Sequence, residues 1–181
     1  PYVEDDPTAP LGAYGRSKLA GEAAVRAATA RHIILRTAWV HSPFGANFVK
    51  TMLRLAAERP EVRVVDDQIG SPTYAPHLAE AILAISRIAI LDQDGASFGP
   101  YHAAGVGAVT WCGMAREIMR VSASLGGPSA NVTAITTAEY PTPARRPANS
   151  RLDCTKLATA FGVTLPRWED GVAECVKRLQ A

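Results

Sequence analysis

The 181-residue chain contains no G-x-G-x-x-G turn, no Cys-x-x-Cys or Cys/His spacing, no apolar run of 18 residues and no block of like charge. Each absence removes a class of function. Without the glycine turn followed by a helix and a later acidic residue, the sequence offers no cradle for a dinucleotide pyrophosphate; Gly105-Val106-Gly107 continues with Thr110 where a third glycine belongs. The three cysteines, Cys112, Cys154 and Cys175, are odd in number and far apart, so they predict buried reduced thiols of a cytosolic protein and no zinc site or disulfide frame. His32, His41, His77 and His102 have no ligand spacing, and no metal site is expected. Lys and Arg are interspersed with Asp and Glu to a net charge of +2, which leaves no basic stripe for nucleic acid and no basic amphipathic helix for a membrane. No apolar segment reads as a span or signal peptide, and a cytoplasmic location is expected. The first residues, Pro1 to Asp6, lack an initiator Met and read as a loop, as if the chain began inside a longer one.

What is present is an alternation of strands and helices. With 48% hydrophobic and 20% charged residues the chain can build one sizeable core. An alanine-rich helix is predicted from Tyr14 to Ala30, followed by an apolar run through His32–His41 of the kind found in strands covered on both faces. Asn47 caps a predicted helix to Glu58, and Val62–Val65 reads as the next strand. Ser71-Pro72-Thr73 marks a turn, Pro76 opens a helix, and Tyr101–Ala104 is a short strand. Thr110 caps a helix to Ser124, Asn131–Thr137 is β-branched and alternating, and Pro141–Pro147 excludes regular structure. Asp153 caps a short helix before Gly162, and Pro166 opens the last one. The pattern predicts an α/β fold around a parallel sheet.

Tyr14 and Lys18 carry the chemistry. Four residues apart on a helix they share a face, so the ammonium lies beside the phenol and favours its ionised form, as proton transfer requires. Asp66 and Asp67 are adjacent on a strand and point to opposite faces, which excludes joint acid/base work.

Six segments, in order, then carry a resemblance: Tyr14–Glu22, Leu35–Val40, Gly45–Met52, Val65–Thr73, Arg146–Leu152 and Leu165–Trp168. Through them the chain resembles the C-terminal part of the extended short-chain dehydrogenase/reductases, in particular the dTDP-4-dehydrorhamnose reductases. The resemblance implies the C-terminal portion of a doubly wound Rossmann-type parallel sheet with a smaller mixed substrate-binding lobe. The incomplete Rossmann part would occupy about residues 1–45 and parts of 75–105, and the interleaved lobe about 46–75 and 106–181. It further implies that the half with the glycine-rich NAD(P) turn and the third catalytic residue, a Ser or Thr, lies outside this chain. Tyr14 is then the general acid toward the 4-keto group of a dTDP-sugar, and Lys18 its partner on the nicotinamide ribose. Thr37 and Val40 join these two in touching NADP or NAD. Trp39 would lay an apolar face against the deoxysugar, and Asn47, Lys50, Arg145 and Arg146 would meet its hydroxyls or diphosphate. A homodimer is also expected. His41 departs from the pattern, standing where a Tyr or Phe is expected.

Plainer readings stand beside these. Tyr14 and Lys18 alone make a surface pair worth a few tenths of a kcal/mol; Trp39 equally fills core, Asn47 equally only caps, and the two arginines equally face solvent. A non-catalytic relative of the same fold, or an epimerase or reductase of another nucleotide sugar, is the alternative function. The intact Tyr14/Lys18 pair favours an enzyme.

Overall fold

The computed structural model describes residues 1–91, 97–142 and 146–181. Helix α1 (Ala13–Ala28) leads into strand β1 (Ile33–Arg36), then β2 (Val40–His41), α2 (Phe48–Glu58), β3 (Glu61–Val65), β4 (Ile69–Gly70) and β5 (Thr73–Tyr74). Helix α3 (Ala75–Leu91) is followed by β6 (Gly99–His102), β7 (Val109–Thr110), α4 (Trp111–Ser124), β8 (Asn131–Ile135), β9 (Asn149–Ser150), α5 (Thr155–Phe161) and α6 (Trp168–Gln180).

Four ladders are parallel, as helical crossovers require: β1 on β6, β2 on β5, β3 on β8 and β4 on β9. Among the described residues only β7 runs antiparallel, on β4.

Two buried clusters organise the chain. The larger gathers Met52 and Val49 of α2, Val62 and Val64 of β3, Met114 and Ile118 of α4, and Val172 and Val176 of α6. The smaller joins Ala81 and Ile85 of α3 to Tyr101 of β6 and to Leu157 and Phe161 of α5. Pairing Val62↔Val132 and Val64↔Ala134 turns alternate residues of β3 toward α4 while Glu61 and Arg63 stay in water, the two-residue period of a half-buried strand.

The caps read from sequence form. Asn47 accepts the Lys50 amide at 3.3 Å, Thr110 accepts the Gly113 amide at 3.0 Å, and Gly162 ends α5 in a left-handed conformation (φ 61°). Other expectations are corrected. The apolar run at 32–41 is two short strands in different ladders, since Thr37-Ala38-Trp39 leaves the extended conformation and Trp39 adopts φ 47°. β1 is half-buried throughout, because Ile33 and Leu35 meet the smaller cluster while Ile34 and Arg36 face the opposite side. Asp153 does accept the Thr155 amide at 2.8 Å, but from one residue before the cap position. Residues 136–137 leave the strand for a 3-10 turn at Thr137–Glu139, and α6 begins two residues after Pro166. Cys112 and Cys175 are buried and Cys154 only half-buried; all three are free, and burial pushes the Cys175 thiol up to about 11. No helix among the described residues is long and apolar enough to cross a membrane.

Candidate active site

The chemistry starts at the first turn of α1. Gly12 precedes it in an extended conformation, and Gly15 lets the helix press on Pro10, where an added methyl would come within 3.0 Å. Tyr14 is 77% exposed, and the Lys18 ammonium lies 5.3 Å from the centre of its ring. Neither the Tyr14 hydroxyl nor the Lys18 ammonium bonds to any described residue, so both polar ends are open to a ligand; only Ser17 touches the turn, donating to the Tyr14 carbonyl at 2.9 Å.

No residue of α1 is buried, and its tether is electrostatic. Arg36, on β1, grips Glu22 with two bonds of 2.8 and 2.7 Å and donates a third, 3.0 Å, to the Glu4 carbonyl. Buried Glu4 in turn accepts the His102 amide at 2.7 Å, so the N-terminal segment, α1 and the carboxyl ends of β1 and β6 are tied into one network. The Arg36 bonds hold the Glu22 carboxyl below the usual carboxylate range and, reciprocally, raise Arg36.

A cavity of about 890 Å³ opens beyond β2, lined by Trp39, Val40, Asn47, Phe48, Trp111, Gln68, Thr137 and Tyr140 and by two cations, Arg63 and Arg146. No described lining residue is acidic. Trp39 and Trp111 stack with ring centres 3.6 Å apart and planes within 11°, and Phe48 leans on Trp111 at 4.6 Å. The left-handed backbone at Trp39 costs about 1–2 kcal/mol for a residue with a Cβ and is held by packing. Aromatic walls, amide and hydroxyl groups, the Arg146 guanidinium and Arg63, which is paired with Glu139 at 3.3 Å, suit a ligand combining an apolar ring with an anion.

The other expected residues are placed as follows. Exposed Thr37 donates to the Thr73 hydroxyl at 3.2 Å, and Val40 is half exposed at the cavity edge. Asn47 lines the cavity, but its amide also donates to the Ser42 carbonyl at 2.7 Å while its oxygen caps α2. Lys50 is outside the lining; its ammonium donates to the Pro43 carbonyl at 3.3 Å. Arg146 is exposed at the cavity, whereas Arg145 lies outside the described residues. Asp66 bonds Thr110 and Asp67 bonds Thr137, at separate places. His41 is buried beside Tyr74, with ring centres 5.7 Å apart, and burial pushes its pKa down. His32, His77 and His102 bond the Thr29 carbonyl, Glu174 and the Tyr2 and Asp153 carbonyls respectively, and no group of three metal-binding side chains exists among the described residues. Gly105 and Gly107 serve packing: a methyl on Gly105 would meet the Pro72 carbonyl at 2.4 Å, and one on Gly107 the Trp168 ring at 2.9 Å.

Sequence reasoning missed Phe48, Trp111, Gly70 and Arg63. A signal for the first two existed: each is the first helical residue after a capping side chain, Asn47 or Thr110.

The parallel ladders and interleaved helices define a Rossmann-like α/β fold. A solved dTDP-4-dehydrorhamnose reductase from Clostridium acetobutylicum superposes with a TM-score of 0.90 at 35% identity, covering 100% of this chain and 60% of that one. One from Bacillus anthracis, solved in complex with NADP, gives 0.86 at 34% identity, over 98% of this chain and 59% of that one. Residues 1–181 match the family described as the RmlD substrate binding domain, and the chain belongs to that family. Among curated relatives, dTDP-4-dehydrorhamnose reductase of Sinorhizobium fredii is 47% identical over 97% of this chain, and that of Escherichia coli K12 is 44% identical over 99%. The chain spans about 60% of the length of these relatives.

Proposed function

We propose that this chain belongs to an NAD(P)H-dependent reductase that converts dTDP-4-dehydro-6-deoxy-L-mannose to dTDP-L-rhamnose for polysaccharide synthesis. The observation that carries the reading is the Tyr14–Lys18 turn: a phenol with a cation 5.3 Å from its ring, both with free polar ends. In this reading residues 1–45 and parts of 75–105 form the cofactor side and residues 46–75 and 106–181 the sugar-nucleotide side. A cytoplasmic homodimer is part of the same proposal.

The open hydroxyl and ammonium fit the nicotinamide-ribose end of NADP or NAD, and exposed Thr37 and Val40 are its further proposed contacts; glycines that pack against Pro72 and Trp168 do not fit its pyrophosphate. When bound, the nicotinamide supplies hydride to the sugar C4. Tyr14 orients the C4 carbonyl by donating a hydrogen bond to its oxygen and gives up that proton as the oxygen gains charge. Lys18 stabilises the phenolate left behind, since opposite charges a few ångströms apart attract by about 1 kcal/mol in water and more where water is excluded. Arg146 supplies positive potential for the diphosphate, and Asn47 and the edge of Trp39 meet the sugar end.

The test is turnover by the full-length protein of dTDP-4-dehydro-6-deoxy-L-mannose with NADPH or NADH, followed by loss of reduced-cofactor absorbance and by identification of the product. One dTDP-L-rhamnose per cofactor oxidised is expected. Turnover of UDP-sugars with none of the dTDP-sugar would overturn the assignment.

A further inference from the structure

Trp39 is held on both faces. One is covered by Trp111, whose ring lies parallel at 3.6 Å. A methyl placed on Gly70 would lie 2.4 Å from Cε2 of Trp39, and 2.7 and 2.8 Å from the flanking Cζ2 and Nε1. The middle atom being nearest means that Gly70 approaches over the ring, since an in-plane approach would bring the two flanking atoms closer. A point 2.4 Å above the ring on the Trp111 side would fall within the stacked pair, so Gly70 occupies the opposite face. The free apolar face expected against a sugar is therefore taken, and the indole turns its edge to the cavity.

The backbone reinforces the clamp. Trp39 is the one described residue other than glycine with positive φ, its carbonyl accepts the Thr73 amide at 3.3 Å, and Phe48 braces Trp111 from α2. Trp39 leaves the end of β1, whereas Gly70 and Trp111 come from β4 and α4. The stack thus registers the sugar-nucleotide cavity against the segment leaving the β1–β6 ladder.

We propose that Gly70 and Trp111 are positioning residues that clamp Trp39 edge-on and thereby set the width of the cavity, and with it the affinity for the nucleotide sugar. This rests on the reductase reading above for its activity readout, and on binding and spectroscopy independently of it. Any side chain at Gly70 must displace the indole, and loss of the Trp111 ring frees it to tilt into the cavity.

The experiment compares full-length protein with its Gly70→Ala and Trp111→Leu variants, using Trp111→Phe as the conservative control. Stacked indoles whose in-plane transition dipoles are skewed couple into paired far-ultraviolet circular dichroism bands of opposite sign, and the parent's spectrum sets the reference for the variants. Both disruptive variants should lose the pair and raise KM for the dTDP-sugar about tenfold, with KM for NADPH within about twofold and kcat little changed, the pattern of altered substrate binding. Trp111→Phe should lose the pair but keep most of the affinity, since a ring still covers Trp39. A purely structural role would lower thermal stability with KM untouched, and that result overturns the proposal. So does a Gly70→Ala protein that retains the parent's spectrum and KM. Where Gly70→Ala does not fold, the two Trp111 variants decide. If the parent turns over no dTDP-sugar, the reductase reading fails, and calorimetric binding of dTDP to the same proteins still decides the clamp: affinity lowered about tenfold by Trp111→Leu supports it, and equal affinity contradicts it.

Discussion

Helices α4 and α1 are similar in length and opposite in how they are held. α4 buries Cys112, Met114, Ala115, Ile118, Met119, Val121 and Ser122 against α2, α6 and β3. α1, which carries Tyr14 and Lys18, buries none of its 16 residues and is tied down by the Glu22–Arg36 pair and the approach of Gly15 to Pro10. Burial of aliphatic side chains gives α4 non-directional stability, whereas α1 depends on two charged groups in one geometry. Among the described residues, the proposed substrate cavity thus draws on helices with many apolar contacts, whereas the Tyr14–Lys18 turn lies on a helix held chiefly by charged groups.

The comparison can be broken first at its strong end. Ile118→Ala removes a fully buried side chain from α4 and should cost about 2–5 kcal/mol in urea unfolding, because surrounding helices cannot close the space. Arg36→Ala should cost about 1–3 kcal/mol by leaving the half-buried Glu22 carboxylate with only its longer, 3.3 Å pair to Arg26. Its loss should appear as faster amide exchange along α1, while exchange in α4 is unchanged. The same pair gives a pH dependence. Glu22 has a lowered pKa in the folded chain, so the unfolded state binds its proton first as pH falls. The contribution is therefore fully present above the ordinary glutamate value of about 4.3 and fades as pH drops through the lower folded value. Exchange in α1 measured from pH 6 to pH 3 should reproduce this in the parent and not in Arg36→Ala.

Smaller effects sharpen the ranking. Asn47→Ala removes the cap of α2 and should cost about 1 kcal/mol in the same unfolding assay. Arg54→Ala breaks an exposed pair with Glu58 on that helix and should change stability by less than about 0.5 kcal/mol. An Arg54 effect as large as that of Arg36 would remove the distinction between buried and exposed ion pairs on which the account of α1 rests.

Local signals were legible in the chain. Asn47 and Thr110 act as caps, Gly162 as a helix stop, and Val62 and Val64 as the inward face of a strand, because each depends on neighbours a few residues away. The Tyr14–Lys18 spacing belongs to the same kind, since a helix brings residues four apart together whatever else the chain does. What escaped was long-range. The run through His41 reads as one apolar strand, and only the packing of Trp39 between Gly70 and Trp111 explains its break. Trp111 is 72 residues from Trp39, and no periodicity connects them. Lys50 looked free for an anion because its sequence does not reveal that Pro43 offers a carbonyl to it.

The central claim is that Tyr14 hands its proton to the sugar carbonyl. The most direct measurement is single-turnover reduction of the dTDP-4-keto sugar by the full-length protein and its Tyr14→Phe variant, with NADPH affinity measured in parallel. The account predicts a loss of about a hundredfold or more in the rate of the chemical step with cofactor binding retained. An unchanged rate in Tyr14→Phe would contradict it.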